Sequence, residues 1–156
     1  MRVYEVMTKN PVVCDVTDTA STIAKLMRES RIGGIPVMEY GRLAGIITET
    51  DVLKLLDVHG PSDDLWLPSP LEVIELPIRE FINWEKTKNA LTDIGAIPAR
   101  DIMKHPVITV TPDMDVERAA EIMLNHAINR LVVTENEKVV GILTRQDIVW
   151  SVGKRD

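Results

Sequence analysis

Val37-Met38-Glu39-Tyr40-Gly41-Arg42-Leu43-Ala44-Gly45-Ile46-Ile47-Thr48-Glu49-Thr50-Asp51 returns 96 residues later, without a gap, as Val133-Thr134-Glu135-Asn136-Glu137-Lys138-Val139-Val140-Gly141-Ile142-Leu143-Thr144-Arg145-Gln146-Asp147. The same offset pairs Met27 with Met123 and Ala24 with Ala120. Farther upstream, Met7-Thr8-Lys9-Asn10-Pro11-Val12-Val13 matches Met103-Lys104-His105-Pro106-Val107-Ile108 with one residue of slippage. An ordered series of matches at a fixed spacing marks a duplicated structural unit.

Each unit reads as strand, helix, strand, strand, helix. Val12-Val13-Cys14 and Val107-Ile108-Thr109-Val110 are short β-branched runs after a proline. Ile23, Leu26 and Met27, and then Val116, Ala119, Ala120 and Met123, recur at the three- and four-residue spacing of an amphipathic helix. Asp113 and Asp115 are expected in the first turn of the second unit's helix, where the macrodipole favours acid. Ile35-Pro36-Val37-Met38 and Leu131-Val132-Val133 are the next strands. Glu39-Tyr40-Gly41-Arg42 and Glu135-Asn136-Glu137-Lys138 are polar hairpin turns, and a short helix starts at Thr48 or Thr144. A unit of about 50 residues has too little core of its own. The two are therefore expected to pack as an α+β pair with pseudo-two-fold symmetry and clefts between them.

Composition narrows the function. With 156 residues the chain can bury enough surface without staples, and its single cysteine, Cys14, has no intramolecular disulfide partner. The N-terminus lacks the apolar core of a signal peptide and no apolar run reaches membrane-spanning length, so a reducing cytoplasm is the expected location. A net charge of −6 with no Lys/Arg run argues against a nucleic-acid surface, though it leaves room for a local basic pocket. His59, His105 and His126 are dispersed and lack metal-ligand spacing. Neither a Ser/His/Asp or Cys/His set nor a Gly-rich phosphate loop can be assembled, so an enzyme is not expected.

Gly45-Ile46-Ile47-Thr48-Glu49-Thr50-Asp51 and Gly141-Ile142-Leu143-Thr144-Arg145-Gln146-Asp147 resemble the signature of the CBS domain family, in which Gly-apolar-apolar-Thr-x-x-Asp runs from a strand into a helix. The resemblance extends over roughly residues 3–57 and 98–152 and identifies the chain as a tandem CBS pair, or Bateman module. It implies domains at 1–57 and 98–156 with a helical insert at 58–97. It also implies a regulatory sensor that binds AMP, ADP, ATP, S-adenosylmethionine or a similar adenosine compound as ligand, with no required cofactor. The family's ribose-holding aspartate falls on Asp51 and Asp147, and its ribose- or phosphate-contacting threonine on Thr48 and Thr144. The residues flanking the base fall on Val13, Cys14, Ile35 and Pro36 in one cleft, and on Ile108, Thr109, Leu131 and Val132 in the other. Val132 departs from the proline that the pattern has at Pro36.

The residue types suit this chemistry. A fixed carboxylate reads a ribose diol through charge-assisted hydrogen bonds, and a hydroxyl beside free N–H groups at a helix start suits a phosphate or ribose oxygen. Thr-x-x-Asp before an apolar run is equally a helix cap that needs no ligand. The alternative is therefore a structural dimerisation module with empty clefts. Arg130, aligned with Gly34, adds a guanidinium to the second unit, and Thr109 stands where Cys14 is expected to align. The Thr144–Asp147 cleft is accordingly expected to take a phosphorylated ligand. The insert carries Ser69-Pro70-Leu71-Glu72, a capping pattern, and a second helical stretch from about Arg79 to Ile94. Trp66, Phe81 and Trp84 make it a candidate dimer or partner contact. The family's habit of joining as discs through its helices adds a homodimer.

Overall fold

The computed structural model describes residues 1–57 and 93–153. The capping pattern at 69–72, most of the following helical stretch and the three insert aromatics lie outside the described residues.

In the first unit, β2 (Cys14–Asp15), β3 (Gly34–Glu39) and β4 (Arg42–Thr48) form one sheet in the order β2-β3-β4, with α2 (Ala20–Ser30) and α3 (Glu49–Asp57). In the second, β5 (Thr109–Val110), β6 (Arg130–Glu135) and β7 (Lys138–Thr144) are joined by α5 (Val116–Asn125) and α6 (Arg145–Gly153). β2 runs parallel to β3 across α2, and β5 runs parallel to β6 across α5, while β3–β4 and β6–β7 are antiparallel hairpins. Both hairpin turns use two left-handed residues, Tyr40 and Gly41 in one and Asn136 and Glu137 in the other. Such turns match the twist of the strands they join.

Helix faces follow the apolar spacing. Ala20, Ile23 and Met27 of α2 are buried, as are Val116, Ala119 and Met123 of α5. The Thr19 hydroxyl caps α2 by accepting from the Thr22 N–H at 3.3 Å. The acids expected in the first turn of α5 lie just ahead of it. Asp115 is the N-cap residue, and Glu117 is the acid of the first turn. Asp113 lies in the preceding turn, where a hydrogen bond with the Thr111 side chain holds its carboxyl below the ordinary value.

The N-terminal segments of the two repeats are exchanged. The short helix α1 (Val3–Val6) belongs to the first repeat, yet its Val3 N–H donates to the Met114 carbonyl at 2.9 Å and Val3 is fully buried in the second core, with Val110, Ala119, Leu131 and Leu143. Its counterpart α4 (Ala99–Ile102) donates from Ala99 N–H to Asp18 at 2.7 Å and buries Ala99 and Ile102 in the first core, with Ile23, Ile35 and Ile47. Next, β1 (Thr8–Lys9) pairs antiparallel with β7 through Thr8 and Ile142, and Lys104 bridges to Ile46. Repeat order along the chain and membership of the two cores therefore differ at these segments. Burying a valine or isoleucine side chain is worth about 1.5–3 kcal/mol, so each core draws substantial stability from the other repeat.

Candidate functional site

The Thr48–Asp51 and Thr144–Asp147 turns have closely similar local geometry. Asp51 Oδ2 accepts from Thr48 N–H at 2.8 Å and from its hydroxyl at 3.0 Å. Asp147 Oδ2 accepts from Thr144 N–H at 2.8 Å and from its hydroxyl at 2.7 Å. The Asp147 N–H returns a bond to the Thr144 hydroxyl at 3.2 Å. A hydrogen-bonding residue at the end of a strand thus starts a helix whose first-turn carboxylate closes the turn. Capping geometry is present at both motifs.

Their surroundings differ. Asp51 is buried, and its Oδ1 lies 3.4 Å from Lys104 Nζ, a lysine contributed by the second repeat. At the 96-residue offset Lys104 corresponds to Thr8, and Asp147 is only half-buried. Asp51 therefore meets a cation, and the residue at that cation's place in the other repeat is the neutral Thr8.

A cavity of about 700 Å³ opens between the units. Its polar lining is Thr48 and Thr50 from the first unit and Lys104, Asn129, Arg130 and Arg145 from the second; Ile46, Val107, Ile108 and Ile128 are among its apolar residues. The second unit's first-strand segment thus faces the first unit's Thr-x-x-Asp turn. Three cations line one cavity of a chain with net charge −6. The offset replaces Lys104, Arg130 and Arg145 by Thr8, Gly34 and Glu49, so this basic character is not duplicated.

Arg130 is the ladder neighbour of Thr144, but its guanidinium lies over Gly33 and Gly34 of the first unit. A β-carbon at Gly33 would stand 3.0 Å from Arg130 Nη2, and one at Gly34 would collide with the guanidinium. The Arg130 Nε–H donates to Asn129 Oδ1 at 3.1 Å. Burial pushes its pKa down, against the opposing pull of Glu49 and Asp51. Arg130 thus joins Thr48 at the cavity, whose lining does not include Thr144, Asp147 or Thr109.

The expected alignment of Thr109 with Cys14 also changes. Cys14 pairs with Val37 and Val110 with Val133, so Cys14 corresponds to Val110 and Thr109 to the exposed Val13. The prolines at 11 and 106 do not share the offset, and aligning on them shifts this segment by one position. Of the residues expected to flank a base, Ile108 lines the cavity, whereas Ile35, Pro36, Leu131 and Val132 are buried in the cores. Cys14 is buried too, and desolvation, with Asp18 and Asp15 nearby, pushes its thiol up to about 12. It packs as a small core residue.

Lys104, Arg145, Thr50 and Asn129 were not singled out by motif. Comparing charge at the repeat offset, rather than comparing signatures, is the signal that marks Lys104 and Arg145. Among the described residues no group of three His, Cys, Asp or Glu side chains could hold a metal ion, and no helix is long and apolar enough to cross a membrane.

Residues 3–58 and 99–153 each match the CBS domain. The chain is 36% identical to an uncharacterized protein of Methanocaldococcus jannaschii over 96% of this chain and 89% of that one. The fold is similar to the crystal structure of the CBS domain pair of protein MJ0100 in complex with 5′-methylthioadenosine and S-adenosyl-L-methionine, with TM-score 0.73 and 22% identity over 100% of this chain and 98% of that one. It is also similar to that of CBSX2 in complex with AMP, with TM-score 0.69 and 20% identity over 98% of this chain and 96% of that one. At these identities the structural likeness concerns the fold.

Proposed function

The chain belongs to the CBS domain family as a tandem pair, and from that premise we propose that it is a regulatory, non-catalytic module that senses an adenosine-containing ligand in the cavity between its units. The observation that carries this reading is the cavity itself: three cations and a Thr-x-x-Asp turn, from different repeats, meet around an apolar floor. Its volume of about 700 Å³ lies within the range usual for small-molecule sites. Ile108, Val107 and Ile128 suit a base, Thr48 with Asp51 behind Lys104 a ribose, and Arg130, Lys104 and Arg145 a phosphate. This assignment favours the Thr48–Asp51 side, and AMP, ADP or ATP ahead of the uncharged 5′-methylthioadenosine and the cationic S-adenosylmethionine. A ligand touching both repeats favours whichever relative orientation it binds better, and that is the proposed regulatory signal.

A homodimer belongs to the same proposal. The last helices of the two units expose Leu53 and Leu56, and Val149, Trp150 and Val152. Trp66, Phe81 and Trp84 remain a proposed partner contact, and the cytoplasm the proposed location. The second reading, a dimerisation module that needs no ligand, is favoured by the capping bonds, which both turns make in the protein alone.

A melting panel with AMP, ADP, ATP and S-adenosylmethionine separates the two. At a hundredfold excess over the dissociation constant a ligand adds about 2.7 kcal/mol. For a chain of this size that raises Tm by roughly 5–10 °C. No shift with any of the four, together with silent calorimetry, would leave the ligand-free reading standing.

A further inference from the structure

We infer that Lys104 is a latch over Asp51, released by the phosphate of an incoming ligand, and that it makes the site selective for phosphorylated nucleosides over nucleosides. The inference rests on the nucleotide-binding reading above and adds to it a ligand-free state with a defined lock.

Asp51 has no free carboxylate oxygen. Oδ2 is taken by the Thr48 N–H and hydroxyl, and Oδ1 faces Lys104 Nζ at 3.4 Å. The carboxylate side chain is 4% exposed, and Lys104, not Asp51, lines the cavity. A ribose diol that takes up Oδ1 competes with that ammonium.

The lysine is built to move at its tip and nowhere else. Its backbone is clamped to β4, with Lys104 N–H donating to the Ile46 carbonyl at 2.9 Å and Ile46 N–H donating to the Lys104 carbonyl at 3.0 Å. Its side chain is 58% exposed, so rotation of the stem carries Nζ between the carboxylate and the cavity without disturbing a core. A phosphate held by Arg130 or Arg145 offers that ammonium a second anion, and accepting it uncovers Asp51. A nucleoside without phosphate offers no such exchange and must break the ion pair uncompensated. The other repeat supplies the contrast: Thr8 stands in place of Lys104, and Asp147 is half-buried rather than buried.

The test is calorimetric titration of AMP and adenosine into the wild-type chain and into Lys104→Thr, with Lys104→Met as a second variant that keeps the apolar stem. The expected wild-type preference for AMP is about tenfold or more. In both variants AMP weakens while adenosine tightens several-fold, because the latched fraction no longer subtracts from its apparent affinity. Adenosine affinity that is unchanged or lower in both variants overturns the latch and leaves Lys104 as a plain phosphate contact. Ligand-free melting of Lys104→Thr, Asp51→Asn and the double variant reads the same lock without nucleotide. Non-additive shifts support it, and additive shifts overturn it. If neither ligand binds the wild type, the nucleotide reading itself fails, and the latch falls with it whatever the melting shows.

Discussion

Gly34 and Arg130 hold the same position in the two repeats, and the absence of one side chain makes room for the other. The guanidinium lies across the first unit's Gly33–Gly34 shelf, close enough to Glu49 and Asp51 for their charge to act on it. Gly34→Ala therefore meets a movable side-chain end rather than backbone. The cost in stability should stay within about 1 kcal/mol, the range of substitutions that the structure can accommodate. Arg130 must leave its shelf, so AMP affinity should fall by about tenfold as a charge-assisted contact is lost. Parallel melting and titration of Gly34→Ala check this. A normal affinity would remove Arg130 placement from the account. Thr48, Asp51 and Arg130 were legible as single residues, because a signature names the first two and the contrast with Gly34 the third. Their grouping was not legible, since the cavity joins residues some 80 positions apart through the pseudo-two-fold packing.

The two hairpins and the two long helices were readable because apolar runs around polar turns and three-to-four spacing leave clear traces in the sequence, whereas the two-residue strand β1 was not. The exchanged elements α1 and α4 were not: each spans four residues, too few for any period to show. The last helices carry another message at this scale. Leu56 and Val152 are equivalent at the repeat offset and are 49% and 70% exposed. A duplicated apolar face suits a second copy of the same chain. Each such side chain buried in an interface contributes about 1.5–3 kcal/mol, so placing a charge at both should raise the dimer dissociation constant more than about 100-fold. Light scattering should report a dimer mass for the wild type, as the proposed homodimer requires, and the monomer mass for Leu56→Glu/Val152→Glu. An unchanged mass would move the contact off these helices.

At the scale of the molecule, duplication builds a symmetric frame and substitution then breaks the symmetry of its clefts. The frame keeps the 96-residue offset even in its exchanged bridges, where Thr8 pairs with Ile142 as Lys104 does with Ile46. The charges do not keep it, and Lys104, Arg130 and Arg145 gather on one side. The repeat and the family were thus open to a reading of sequence, whereas which aspartate meets the basic cavity depended on the exchange of N-terminal segments. That difference gives the most direct test of the central claim, that a nucleotide binds between the Thr48–Asp51 turn and the second unit's basic wall. The measurement is the calorimetric affinity for AMP of Asp51→Asn against Asp147→Asn, since asparagine keeps the shape but loses the charge that strengthens bonds to a ribose diol. Asp51→Asn should weaken AMP by roughly tenfold or more, while Asp147→Asn leaves it near the wild-type value. A loss confined to Asp147→Asn, or wild-type affinity in both, would contradict the account.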